Sequence, residues 1–423
     1  MVNSMLHFIK KSATSFHAVK NTAQMLEEAD YVNLKEARWT LQPGGKYYVT
    51  RNGSSLIAFR IPEKNAGGFM IAASHSDSPC FRLRDHAEMA GSYVRLSAER
   101  YGGQILASWV DRPLSIAGRV LVRKENRVEQ RLVDFEKDMV LIPNLAIHLN
   151  REMNNGHKYD PNTDLVPLYG MADAKGSFQK ELAALAGCGP EELLATDLFV
   201  YNNQPGSVWG AENAFVSAPR LDDLACVFTS LQAFLLAKEA ANIPVLAIFD
   251  NEEIGSETKQ GAGSAFLADT LQAICADRGM DYRFALTQSM MLSCDNGHGL
   301  HPNHPELADR NEAPVLGGGV IIKHSPRYAT DGVSSAVFAE LCRKAGVPVQ
   351  HYSNRPDQAG GATLGNIANT KTGMMSVDIG MAQLAMHSSF ETAAAADVAH
   401  MIRAVQAVYE ASLTAEGDHV VME

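Results

Sequence analysis

The chain has 423 residues, which at roughly 100–200 residues per domain allows two or three domains with sizeable cores. Its composition, 46% hydrophobic and 20% charged, is that of a globular protein rather than a disordered or fibrous one, and 48 acidic against 37 basic residues leave a net charge of −11. That balance argues against nucleic acid or an anionic membrane as the main partner. No apolar run of about 20 residues and no export-signal pattern stands out, so a cytoplasmic protein is expected. Six cysteines are scattered without a CxxC pair, which points away from a disulfide framework and from thiolate zinc sites. Metal sites built from histidine and carboxylate stay open.

In chain order, Phe8, Ala13, Phe16, Val19, Ala23 and Leu26 recur at helical intervals and predict one opening helix over 5–28. Residues 46–51 and 55–61 alternate around Asn52-Gly53 as a hairpin, and 68–73 is the continuous apolar run of a strand buried on both faces. Short β-rich pieces at 93–97, 114–122, 131–135 and 140–143 then predict an inserted β-rich domain over 88–210, between segments 1–87 and 211–423 of a second domain. Beyond Pro219 the pattern alternates: a helix at 223–242, a strand at 244–249, a helix at 262–276, strands at 289–294 and 320–323, and a helix at 333–345. Strands at 347–352 and 373–378 and a final helix at 391–413 follow. Apolar strands alternating with helices imply an α/β fold whose sheet is covered on both faces.

Polar clusters begin where these strands stop. Ser74-His75-Ser76-Asp77 follows the run 68–73, Asp250-Asn251-Glu252-Glu253 follows 244–249, and Asp295 follows 289–294. Pro219-Arg220-Leu221-Asp222-Asp223 precedes a helix, and Leu384-Ala385-Met386-His387-Ser388 follows a strand. In open α/β sheets the crevice outside the carboxyl ends of the strands is the usual ligand site. Nitrogen and oxygen donors without thiolate suit zinc, manganese or cobalt, and two ions about 3.5–4 Å apart need a carboxylate that bridges them. With His75, Asp222, Glu253, Asp295 and His387 as ligands, two divalent ions outweigh three carboxylates. The residual positive charge would acidify water and stabilise a tetrahedral oxyanion, so hydrolysis of an acyl bond is expected. Adjacent Glu252 and Glu253 can divide the roles of general base and ligand, and Asp77 is expected to organise the site behind His75. His298, His301 and His304 crowd a loop rich in glycine and proline and are expected to support the site rather than ligate.

The segments HSDSP at 75–79, PRLDDL at 219–224, DNEEIGS at 250–256, HPN at 301–303 and LAMHS at 384–388, in that order, resemble the aspartyl aminopeptidase family of aminopeptidase I type zinc metallopeptidases. The resemblance covers nearly the whole chain. It implies a zinc-peptidase (phosphorylase/hydrolase-like) α/β/α sandwich interrupted by a β-rich dimerisation domain, with dimers assembling into a tetrahedral dodecamer. It further implies two divalent ions, zinc first and cobalt or manganese as alternatives, with Asp222 bridging His75 and Asp295 on one ion to Glu253 and His387 on the other. Glu252 becomes the general base, Asp77 its support, and His148, within Leu145-Ala146-Ile147-His148-Leu149, a contact supplied to the neighbouring subunit.

The implied substrates are peptides with N-terminal Asp or Glu, met by Lys323 and Tyr328, with a preference for neutral residues as the alternative inside the family. The chain departs from the family pattern at His324-Ser325-Pro326, which is shorter, and at Ser389-Phe390, where Ile-Arg is expected. Both departures concern the substrate pocket. Outside the family, a two-metal carboxypeptidase or deacylase is the nearest rival, and a shell protein without turnover would lack one of the six residues His75, Asp222, Glu252, Glu253, Asp295 and His387, all of which are present.

Overall fold

The computed structural model describes residues 1–36, 39–64, 67–238 and 241–422. It divides into two compact units: Met1–Asp77, Gly206–Met386 and Glu391–Glu423 form the first, Ser78–Pro205 and His387–Phe390 the second.

The first unit is built on a nine-stranded mixed sheet. Its spatial order is Val32–Leu34, Lys46–Arg51, Ser55–Arg60, Ile243–Phe249, Phe69–His75, Met290–Cys294, Met375–Gly380, Val320–His324 and Val349–Ser353. The period of two along each strand sends alternate side chains to opposite faces. Leu56, Ala58, Met70, Ala72, Leu246, Ile248, Leu292, Ile322 and Val377 enter one core with helices Val2–Lys11, Ser15–Glu27, Leu221–Leu236, Gly332–Lys344 and Ala395–Tyr409. Ile57, Phe59, Phe69, Ile71, Ala73, Val245, Ala247, Phe249 and Met291 enter the other with helices Phe266–Arg278 and Leu364–Thr372. Two cores on one sheet make an α/β/α sandwich, and they account for the unbroken apolar runs of these strands.

Ile243–Phe249, Phe69–His75 and Met290–Cys294 lie side by side and parallel, so their carboxyl ends open at one edge. Gly380 ends the neighbouring strand, and a Cβ there would meet the Asp295 carbonyl oxygen at 2.0 Å, which is why this position lacks a side chain. A smaller sheet, in the order Ser207–Trp209, Phe215–Ala218, Glu391–Ala394, Ala382–Leu384 and Gly297–His298, carries the chain into Asp222.

The second unit is a seven-stranded sheet in the order Leu193–Tyr201, Cys80–Met89, Tyr93–Tyr101, Leu168–Met171, Val140–Leu141, Pro113–Lys124 and Arg127–Asp134. Leu193–Tyr201 also pairs with Pro113–Lys124, which closes six of these strands on one another around Phe81, Leu96, Leu114, Ile116, Val120 and Val200. Helix Ser177–Ala186 packs Phe178 and Leu182 into the same core.

The expected boundaries at 87/88 and 210/211 move to Asp77/Ser78 and Pro205/Gly206, because Cys80–Met89 pairs with Tyr93–Tyr101 and Leu193–Tyr201. The opening helix is two, Val2–Lys11 and Ser15–Glu27. The break falls where the Arg220 guanidinium takes the carbonyls of Ile9 and Ser12, at 3.0 and 3.2 Å. Residues 391–394, expected as helix, form a strand against Phe215–Ala218, and the helix begins at Ala395. Helix Leu364–Thr372 has no counterpart in the sequence pattern: of its nine residues only Leu364 and Ala368 face the apolar core, too few to set a period.

Candidate metal centre

His75 is the last residue of strand Phe69–His75 and is 1% exposed. Its Nδ1 lies 3.1 Å from the main-chain oxygen of Asp77, which can only accept, so Nδ1 carries the hydrogen and Nε2 faces the cluster. Nε2 stands 3.4 Å from Asp222 Oδ1 and 4.0 Å from Asp295 Oδ1. One donor atom from each of His75, Asp222, Asp223 and Asp295, all buried, lies within 4.8 Å of the others, and one from each of His75, Glu252 and Glu253 does likewise. A single imidazole nitrogen among carboxylate oxygens is a donor set for zinc or a harder divalent ion.

The backbone fixes these groups from several sides. Asp77 accepts from Glu252 N at 3.1 Å through Oδ1 and from Glu253 N at 3.2 Å through Oδ2, so its carboxylate orients the turn Glu252–Ile254. Asn251, in the left-handed region at φ 61°, makes that turn leave the strand sharply. Asp222 N donates to Glu391 Oε2 at 3.0 Å, and Asp223 Oδ2 accepts from His75 N at 3.2 Å. The peptide joining Asp222 to Asp223 is cis.

The electrostatics are those of crowded acids. Burial raises Asp223 well above the usual carboxylate range, with Asp295 and Asp222 adding to the rise against His75. Burial likewise pushes Glu252 up to about 7 and raises Asp295, which Lys323 opposes. For His75 burial favours the neutral ring, yet Asp223, Asp222, Asp77 and Glu252 together hold the imidazole well above its ordinary value. Every one of these shifts favours added positive charge, so the residues present fit a cation site.

Lys323 is 2% exposed, with Nζ 3.2 Å from Asp295 Oδ2 and 5.6 Å from the centroid of the Tyr328 ring. His387 groups with the second unit, where its Nδ1 donates to the Gly103 carbonyl at 3.1 Å and its own carbonyl accepts from Ile105 N at 2.9 Å. Its φ of 67° is left-handed. As in His75, the engaged Nδ1 leaves Nε2 as the donor atom. His148 sits exposed on a turn of the second unit. His301 and His304 lie with their ring centroids 5.2 Å apart and tilted by 36° in an exposed loop, while His298 Nδ1 lies 3.4 Å from Tyr352 Oη.

Sequence reasoning did not assign Asp223 or Glu391 to the site. The signal for Asp223 was available, since two consecutive acids at the start of an apolar helix have no reason to be buried unless something compensates them.

Residues 8–409 match the family described as aminopeptidase I zinc metalloprotease (M18). The chain belongs to the M18 family. A probable M18 family aminopeptidase 2 of Clostridium acetobutylicum is 42% identical over 423 residues, spanning 96% of this chain and 97% of its own. An Ape4 chain, solved by cryo-EM in complex with Nbr1, superposes with a TM-score of 0.93 at 32% identity, covering 97% of this chain and 85% of that one. The mApe1 dodecamer of S. cerevisiae gives a TM-score of 0.85 at 28% identity over 96% of this chain and 97% of its own. As a member of the M18 family the chain is a metalloaminopeptidase with an α/β peptidase fold and a β-rich domain. No helix among the described residues is long and apolar enough to cross a membrane.

Proposed function

We propose that this M18 enzyme is a dinuclear aminopeptidase of the cytoplasm, acting as a homo-oligomer on peptides with N-terminal Asp or Glu. The observation that carries the reading is the buried cluster of His75, Asp222, Asp223 and Asp295, with Glu252 and Glu253 next to His75. His75, Asp222 and Asp295 would hold one ion, and Asp222, Glu253 and His387 the second, His387 being assigned from its sequence motif. Bound there, two divalent ions, zinc in the first place, would supply Lewis acidity and a water of lowered pKa.

The chain's own residues do the rest. Glu252 Oε accepts a proton from the attacking water, whose oxygen bonds to the scissile carbonyl carbon. As the C–N bond breaks, Glu252 returns that proton to the leaving amine, which leaves the carboxyl of the released residue and a shortened peptide. Asp77 keeps Glu252 and Glu253 in place through their backbone amides. The substrate's α-amine, a group that endopeptidase substrates lack at the cleavage point, would be held beside the metal-site carboxylates.

The dodecameric state of the yeast mApe1 supports a homo-oligomer here. The neutral-residue alternative is favoured by one observation, the engagement of Lys323 with Asp295. A panel of Asp, Glu, Leu, Ala and Lys aminoacyl substrates, run beside elemental analysis of the purified enzyme, tests the reading. Two equivalents of metal per chain, abolition of turnover by chelator and fastest cleavage of Asp or Glu are expected. Leu or Ala as the best substrate would replace the acidic preference, and cleavage of an N-acetylated peptide would favour the carboxypeptidase or deacylase class.

A further inference from the structure

The family resemblance has Lys323 meet the acidic side chain of a substrate, but its surroundings give it a second task. It lies on strand Val320–His324, whose residues 320–323 are all buried. The butyl stem packs where a Cβ at Gly297 would come within 3.5 Å of Cε, and the residue as a whole is 2% exposed. A buried ammonium is tolerated when it is paired and hydrogen-bonded. The ion pair here is with Asp295, at 3.2 Å between Nζ and Oδ2, while Oδ1 of the same carboxylate stands 4.0 Å from His75 Nε2. One oxygen of Asp295 is thus held by lysine, and the other points into the donor cluster.

We propose that Lys323 is a positioning residue for the metal centre: its ammonium fixes Oδ2 of Asp295, so that Oδ1 is presented to a divalent cation in a single orientation. The inference rests on the reading of Asp295 as a metal ligand. A carboxylate free to rotate would offer either oxygen and lose orientational freedom on each binding event. Partners behind a ligand commonly change metal affinity by about 10–100-fold when they are removed. An ammonium has three hydrogens, and one is used on Asp295, so contact with a substrate carboxylate stays possible while the lysine still serves the ion.

The test measures metal retention without substrate. Full-length wild type, Lys323→Met, Lys323→Arg and Asp295→Asn are loaded with zinc and titrated with a competing chelator, and folding is followed by circular dichroism. Lys323→Met should lose zinc at a chelator concentration about 10-fold lower or more, Lys323→Arg should recover much of the loss, and Lys323→Met should have no further effect in an Asp295→Asn background. Lys323→Gln, neutral but close in length and polarity, provides the same reading if the methionine variant does not fold. Wild-type retention in the neutral Lys323 variants overturns the proposal. If Asp295→Asn itself leaves zinc retention unchanged, the ligand reading of Asp295 fails instead, and the two failures are told apart.

Discussion

Two neighbouring glutamates can divide the work of a hydrolytic centre because a carboxylate engaged by an ion is a poor acceptor for the proton of water. Burial lifts the Glu252 carboxyl to about 7 in the metal-free site, and divalent ions bound beside it would bring it down toward the range in which it is ionised and takes a proton from water. Glu252→Gln keeps the shape and removes the proton acceptor. It should lower kcat by about 10²–10⁴ with zinc content unchanged. Near-normal turnover with full metal content would take Glu252 out of the mechanism. Adjacent acids at a strand end made Glu252 and Glu253 legible in the sequence, whereas the surrounding charge was not. Ligand counting left an excess of positive charge. The structure brings Asp77, Asp223, Glu252 and Glu391 as well as Lys323 into the same neighbourhood, so that two divalent ions bound as proposed, with seven carboxylates and one ammonium, would come to about −2. No spacing rule announces a lysine that arrives from another strand, so its pairing with Asp295 is visible only in three dimensions.

At the scale of elements, Arg220 links the amino-terminal helix to the loop that delivers Asp222. Its guanidinium donates to the carbonyl of Ile9, which also accepts from Ser12 N at 3.1 Å, and to that of Ser12 at the end of helix Val2–Lys11, while its backbone sits in the left-handed region at φ 58°. Side chain and backbone make opposite predictions for substitution. Arg220→Ala loses the charged hydrogen bonds and keeps the strained φ, so about 2–3 kcal/mol of stability should go. Arg220→Gly loses the same bonds but relaxes the backbone, and should be the more stable of the two by about 1 kcal/mol. Chemical denaturation of both variants checks this, and equal stabilities would show that φ at this position costs nothing. The helix break was invisible because apolar residues keep a helical interval across Ser12-Ala13-Thr14 while the interruption depends on an arginine some 200 residues away. Residues 391–394 misled for a related reason: a segment running into successive alanines reads as helix, and pairing with Phe215–Ala218 overrides that propensity. The parallel central strands, by contrast, were legible to within a residue or two, since a strand buried on both faces must be apolar at every position and so shows as a short unbroken run.

For the molecule as a whole, the turn bearing His148 matters most. Leu145, Ile147 and Leu149 are 53%, 49% and 76% exposed, and clustered apolar side chains on a surface mark a place where another chain is covered. Charged replacements Ile147→Asp and Leu149→Asp should therefore shift the oligomer toward smaller species in light scattering while circular dichroism stays unchanged. An unaltered mass would place the interface elsewhere. If His148 serves the site of a neighbouring subunit, as the family resemblance implies, complementation follows from symmetry. Glu252→Gln and His148→Ala are each expected to be nearly inactive alone. When equal amounts are dissociated and reassembled together, a site is competent where a chain with intact Glu252 receives His148 from a neighbour with intact His148. Random pairing makes that about one site in four, so about a quarter of wild-type turnover should return. Were His148 to act within its own chain, no subunit in the mixture would carry both groups and activity would stay at the level of the separate variants. Reassembly is the measurement to make because only the route taken by His148, and not its importance, changes the outcome.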